Sequence, residues 1–171
     1  MNTLRSFWRS GPDRRMSTLR KEVIATFLEE VWSRGEVDAC DLLVGATYTV
    51  RHDPGDPWDG RCLTREEFKD RVRMSRAPFP DQRFHIQSLI EDEGKVAVAW
   101  TWTATHLGDF PGFPASGRAL NMSGLTIYDF DQSGLIAGHW QVSDRLGIFQ
   151  QLQAASAGAP ALLLKGQSDG R

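Results

Sequence analysis

The stretch 96–106 constrains the fold more than any other part of the chain. Val96, Val98, Trp100 and Trp102 alternate with Ala97, Ala99, Thr101 and Thr103. A sustained period of two is the pattern of a β-strand with one face in a core. Two tryptophans on one face of one strand need a large apolar surface opposite them, either a pocket lining or an interface on the open side of a sheet. Further β patterns surround this strand. In 84–90, Phe84, Ile86, Ser88 and Ile90 alternate against His85, Gln87 and Leu89, and an acidic turn at 91–95 follows. Strands at 120–130 and 135–142 are separated by the turn 131–134. Successive strands with short connections pair antiparallel.

The first half of the chain is mostly helical. From Ser17 onward, Val23, Phe27, Leu28, Val31 and Trp32 fall on one face of a helix that Gly35 ends. Residues 37–43 read as a second short helix. The β-formers Thr47, Tyr48, Thr49 and Val50 make a short strand ending near His52. Residues 53–60 form a loop rich in Asp, Pro and Gly. Thr64 and Glu67 have the spacing of a capping box, opening a helix with Phe68, Val72 and Met74, and Pro78 and Pro80 end it. A Gly/Pro loop runs from 108 to 117. Ser143 or Asp144 caps a last helix carrying Leu146, Ile148, Phe149 and Leu152. Helices first, then antiparallel strands, then a helix define an α+β domain. Its expected form is a cone-shaped, curved antiparallel sheet wrapped by the N-terminal helices around one pocket. Residues 1–15, with Arg5, Arg9, Arg14 and Arg15, read as a basic, disordered extension. The domain occupies 16–153, and 154–171 read as a flexible tail.

Composition narrows the functional classes. At 171 residues with 40% hydrophobic and 25% charged residues, the chain suits a single globular domain. A formal net charge of −2 gives no electrostatic case for nucleic acid. Without an apolar run of about 18 residues, no membrane span is expected. Cys40 and Cys62 lack metal-ligand spacing and read as reduced thiols of a cytoplasmic protein. The four histidines are scattered, so no metal is expected.

Several segments together resemble the SnoaL-like polyketide cyclase, or ester cyclase, family. They are Phe79-Pro80-Asp81, the strand 96–106, the loop Gly108-Asp109-Phe110-Pro111-Gly112-Phe113-Pro114 with Gly117-Arg118, and the ending 136–152 with Trp140, Asp144, Leu146-Gly147 and Gln150-Gln151-Leu152. The resemblance spans roughly residues 16–153. It implies the nuclear-transport-factor-2-like cone and chemistry without a cofactor, an intramolecular aldol ring closure classed with lyases or isomerases. The ligand would be a small apolar polycarbonyl or aromatic molecule. In that family an aspartate near the end of the sheet moves the proton. The matching position here is Gln141, which has no titratable proton near neutral pH.

Strand alternation then places His139 and Ser143 beside Gln141, making His139 the substitute proton carrier. His52 resembles a family histidine at the pocket mouth, and the expected catalytic set is His139, Gln141 and His52. His106 lies in the family-like Thr105-His106-Leu107-Gly108 and serves either the substrate or its turn. Trp100 and Trp102 are expected to line the pocket or an interface, and Phe110 and Phe113 to form a lid over the ligand or to pack their own loop. Asp144 is expected to cap the last helix or to orient a pocket histidine. The missing aspartate leaves open a non-catalytic small-molecule binding protein on the same fold. A third reading is an interaction module, and a homodimer or tetramer through the sheet is expected in any case.

Overall fold

The computed structural model describes residues 12–157, with side chains placed from 18 to 154. Helix α1 (Pro12–Thr26) continues into a wider, π-helical segment, Phe27–Arg34, which ends at Gly35 in the left-handed region, φ 81°. Phe27, Leu28 and Val31 of this segment are buried. The carbonyl of Trp32 accepts from the side chains of Gln82 and Arg76. A short 3-10 turn (Val37–Ala39) and α2 (Cys40–Leu43) lead into β1 (Val44–His52). β2 (Cys62–Thr64) is a short edge strand that the sequence pattern does not reveal. α3 (Arg65–Arg76) starts at Thr64 with both hydrogen bonds of the expected capping box. β3 (Arg83–Asp92), β4 (Lys95–Thr105), β5 (Ala119–Phe130) and β6 (Ile136–Ser143) then precede α4 (Arg145–Ala157). Residues 1–11 of the expected basic extension and 158–171 of the expected tail lie outside the described residues.

The strands form one six-stranded sheet in the order β2-β1-β6-β5-β4-β3. The α+β cone expected from the sequence is the fold observed, but the sheet is mixed. β1 runs parallel to β6, while every other pair is antiparallel. A chain that leaves β1 through β2 and α3, builds β3 to β5, and returns as β6 closes the sheet by a long connection. Long connections permit parallel pairing, whereas tight turns do not.

The core lies between the concave face of the sheet and α1, its π-helical continuation and α3. Val96, Val98, Trp100, Trp102 and Ala104 face inward along β4 as their alternation requires. Inward residues of β5 pair with them: Tyr128 opposite Val96, Thr126 opposite Val98, Gly124 opposite Trp100 and Leu120 opposite Ala104. Phe27, Phe68 and Tyr48 stack across the helix–sheet interface, with Tyr48 and Phe68 ring centroids 4.2 Å apart. Full burial of such rings contributes roughly 1.5–3 kcal/mol each.

Two β-bulges change which side chains face inward. In β3 the pairing slips between Ile86 and Ser88. Leu89 therefore packs on the core, and Ile90 is 63% exposed, the reverse of simple alternation. In β1 the pairing with β6 slips between Val50 and His52. A one-residue slip moves every later side chain to the opposite face. Met74, expected on the buried face of α3, is 62% exposed.

Candidate active site around Asp53

The slip in β1 sends His52 outward and Asp53 inward. His52 stacks on the ring of Trp140, centroids 4.8 Å apart and planes 11° from parallel, on the outer face of the sheet. It stands on the other side from His139, so the expected grouping of His52 with His139 and Gln141 does not form. Its neighbour Asp53 takes the inner place and is 1% exposed. The Asp53 backbone N–H donates to Asp59 Oδ1 at 2.7 Å, and its carbonyl accepts from the N–H of Asp56 at 2.9 Å. The loop 53–60 is thus tied by its own aspartates, a use of Asp common in turns.

Two polar chains converge on the Asp53 carboxylate. The indole N–H of Trp100 donates to Thr126 Oγ1 at 2.8 Å. An indole nitrogen can only donate, so the Thr126 hydroxyl sends its own proton to Gln141 Oε1, 2.7 Å away. This fixes the Gln141 amide, whose nitrogen donates to Asp53 Oδ2 at 3.2 Å. Trp100 packs flat beneath Gly124, where a Cβ would lie 2.7 Å from the indole Cη2. The second chain starts at Tyr48. Burial pushes the Tyr48 hydroxyl well above its ordinary pKa, so it keeps its proton and donates to His139 Nδ1 at 2.7 Å. The remaining imidazole proton then sits on Nε2, 3.7 Å from Asp53 Oδ2. Burial drives the His139 pKa down, against the pull of the nearby Asp53 carboxylate. His139 is therefore neutral near pH 7.

Two arginines complete the cluster. Arg71, on α3, is buried with Trp32 and Trp58 at 5.3 and 5.8 Å from its guanidinium carbon. It donates to Asp56 Oδ2 at 2.9 Å and Asp53 Oδ2 at 3.4 Å. Arg145, the first residue of α4, donates to Asp53 Oδ1 at 2.6 Å. Two carboxylates and two guanidiniums make the cluster neutral, which lets Asp53 and Arg71 stay buried as ions. Burial alone would raise the Asp53 pKa. The nearby His139 Nε2–H and the charges of Arg145 and Arg71 outweigh it and hold the carboxyl at about 2. The result is a desolvated, ionised carboxylate with a neutral imidazole beside it.

The other expected residues have definite places. Trp100 and Trp102 are both buried on the concave side, and Trp102 donates to Gln82 Oε1 at 3.2 Å. Neither reaches the open face of the sheet. His106 is fully buried, with Nδ1 3.1 Å from Ser116 Oγ, and its backbone carbonyl accepts from Ser116 and Gly117. It braces the loop 107–118, and its Nε2 is buried with no hydrogen-bond partner. Phe110 and Phe113 pair through their backbones. Phe110 lies 5.9 Å from Phe79, and Phe113 lies edge-on to Phe149 at 5.5 Å, which ties the loop to α4. Asp144 caps α4: its Oδ1 accepts from the N–H of Gly147 at 2.8 Å. Sequence reasoning passed over Asp53, Tyr48, Thr126, Arg71 and Arg145. The one signal for them is that loop 53–60 carries three aspartates, more than its turns need.

The architecture is an α+β cone with a buried carboxylate and imidazole at one end of its concave face. The family model for SnoaL-like polyketide cyclase matches residues 22–152. The chain belongs to that family. Among solved structures it is similar to a protein from Acidithiobacillus ferrooxidans provisionally named as a polyketide cyclase. The two are 51% identical over 80% of this chain and 95% of that one, with a TM-score of 0.76. IdmH from Streptomyces antibioticus, provisionally named likewise, is 25% identical over 78% of this chain and 98% of its own, TM-score 0.66. A SnoaL-like protein from Jannaschia, 17% identical over 84% of this chain and 96% of its own, shares the fold, TM-score 0.70. No curated protein matches the sequence.

Proposed function

We propose that the chain is a cofactor-independent acid/base enzyme that closes a ring on an apolar polycarbonyl or aromatic small molecule, with Asp53 as its base. The observation that carries this reading is the Asp53 carboxylate, held inside the cone by Gln141, His139 and Arg145. It supplies the titratable oxygen that Gln141 lacks. Asp53 takes a proton from a carbon flanked by two carbonyls. The C–H bond breaks, an O–H bond forms, and the electron pair spreads onto an enolate oxygen. The enolate carbon attacks a second carbonyl of the same molecule, and the alkoxide so formed recovers a proton from the site. Gln141 and Arg145 are the donors near the developing negative charge, and the His139 Nε2–H is the second proton within reach. Correct placement of the two carbonyls supplies most of the acceleration, because the flanking carbonyls already acidify the carbon.

A second reading, binding without turnover, draws on the low pKa of Asp53, since a carboxyl held at about 2 is a weak base. Exchange of the activated methylene of methyl benzoylacetate in D2O, followed by proton NMR, separates the two. The enzyme reading expects wild-type protein to accelerate exchange and Asp53→Asn to lose about 10²–10⁴-fold of that acceleration. Equal rates in both proteins, or no acceleration by wild type, would remove Asp53 from any chemistry. We propose further that a second copy covers the outer face, where Ile90, Leu125, Trp140 and Val142 are exposed.

A further inference from the structure

The partners of Asp53 are unequal in exposure. The side chains of Arg71 and His139 are 5% and 3% exposed, and with Gln141 they all face Oδ2 from within the fold. Oδ1 is met by Arg145, whose side chain is 41% exposed. Arg145 therefore stands between solvent and the carboxylate. Its shaft crosses the turn at Gly55, φ +87°, where a Cβ would lie 3.0 Å from Arg145 Cδ, so the turn leaves a track for that side chain. The residue also has an unfavourable position for helix stability. It is the first residue of α4, where the helix dipole disfavours a positive charge. Its Nε is buried without a hydrogen-bond partner, so that N–H is unused.

We infer that Arg145 is a displaceable cover on Asp53: the carbonyl oxygen of a 1,3-dicarbonyl ligand takes over its guanidinium, and Asp53 Oδ1 is uncovered to receive the proton. This rests on the acid/base reading given above and adds the positioning residue that it needs. In the closed state the carboxylate is shielded and weakly basic. When the guanidinium turns to the ligand, Asp53 loses its closest positive neighbour at the moment the acidic carbon arrives. Arg71, Asp56 and His139 remain around it. The same guanidinium then neutralises the enolate oxygen as the C–H bond breaks, so the charge that leaves Asp53 stays paired. The device selects ligands with an oxygen acceptor two bonds from the acidic carbon.

Carbon-13 NMR of the Asp53 carboxyl, titrated with pH, tests this directly. In Arg145→Gln the Asp53 midpoint should rise by about 1–3 pH units, the effect of removing an adjacent opposite charge. In wild type, saturating methyl benzoylacetate should raise the midpoint, and in Arg145→Gln it should add little. Arg145→Lys keeps the charge, so its free midpoint should stay low whether or not the Gln variant folds. An unchanged midpoint in Arg145→Gln, or a wild-type midpoint indifferent to the probe, would overturn the proposal. The titration needs no turnover. A protein that fails the exchange assay but shows the shifts keeps the cover and loses the enzyme reading.

Discussion

Replacing Asp53 by Asn removes one charge and almost no volume, so its effect on stability measures what the carboxylate gains from its surroundings. The structure holds the carboxyl at about 2 against 3.8 for a free aspartate. At about 1.4 kcal/mol per pH unit this gap is worth roughly 2 kcal/mol at neutral pH. For a chain of this length 1 kcal/mol moves the melting temperature by about 2–4 °C, so Asp53→Asn should melt roughly 4–8 °C below wild type at pH 7. The difference has a definite pH window. The folded pKa is depressed, so the contribution is complete above 3.8 and is lost as pH falls toward 2. The two proteins should therefore converge in acid. Differential scanning calorimetry at pH 7 and at pH 3 follows the narrowing, with roughly half of the pH 7 difference remaining at pH 3. If Asp53→Asn were as stable as wild type or more so at pH 7, burial would outweigh the arginines and the hydrogen bonds. The electrostatic account of the site would then be wrong in sign.

His139 provides a second pH dependence. Burial holds its imidazole below the ordinary 6.5, so the unfolded chain takes up a proton first as pH falls. Stability present above pH 6.5 should decline below it, and His139→Gln should flatten that decline in a series of melting curves. Gly124→Ala places a methyl group against the Trp100 indole and 2.8 Å from the carbonyl oxygen of Val142. It should destabilise by about 1–3 kcal/mol. By moving Trp100 it should also disturb the Thr126–Gln141–Asp53 chain, so the amide resonances of Thr126 and Gln141 should shift far more than those of α1.

Most of the fold can be read along the chain because its elements have clean periods. Val96 to Trp102 alternate without interruption, and β4 faces the core as that alternation predicts. Thr64 and Glu67 mark the start of α3 by chemistry alone, since each satisfies the other's backbone neighbour. His139 and Gln141 share the inner face for the same reason of period two, although Gln141 is a hydrogen-bond relay and not a base. Two of the misses have one physical cause. A bulge changes the phase of a strand without leaving a mark in composition. One bulge turns Ile90 out and Leu89 in, and the other turns His52 out and Asp53 in. Parallel pairing of β1 with β6 is equally silent, because it depends on where the chain returns and not on any local pattern. Arg71 and Arg145 look like surface charges in sequence. Their partners lie 15 or more positions away, and only the closed cone brings them together.

A crystal structure with an aromatic 1,3-dicarbonyl bound would put the central claim to its most direct test. The account predicts the acidic carbon within about 3.5 Å of Asp53 Oδ1, a near-attack distance, with the Arg145 guanidinium on a ligand oxygen. A ligand seated elsewhere, with the 2.6 Å bond between Arg145 and Asp53 intact, would contradict it.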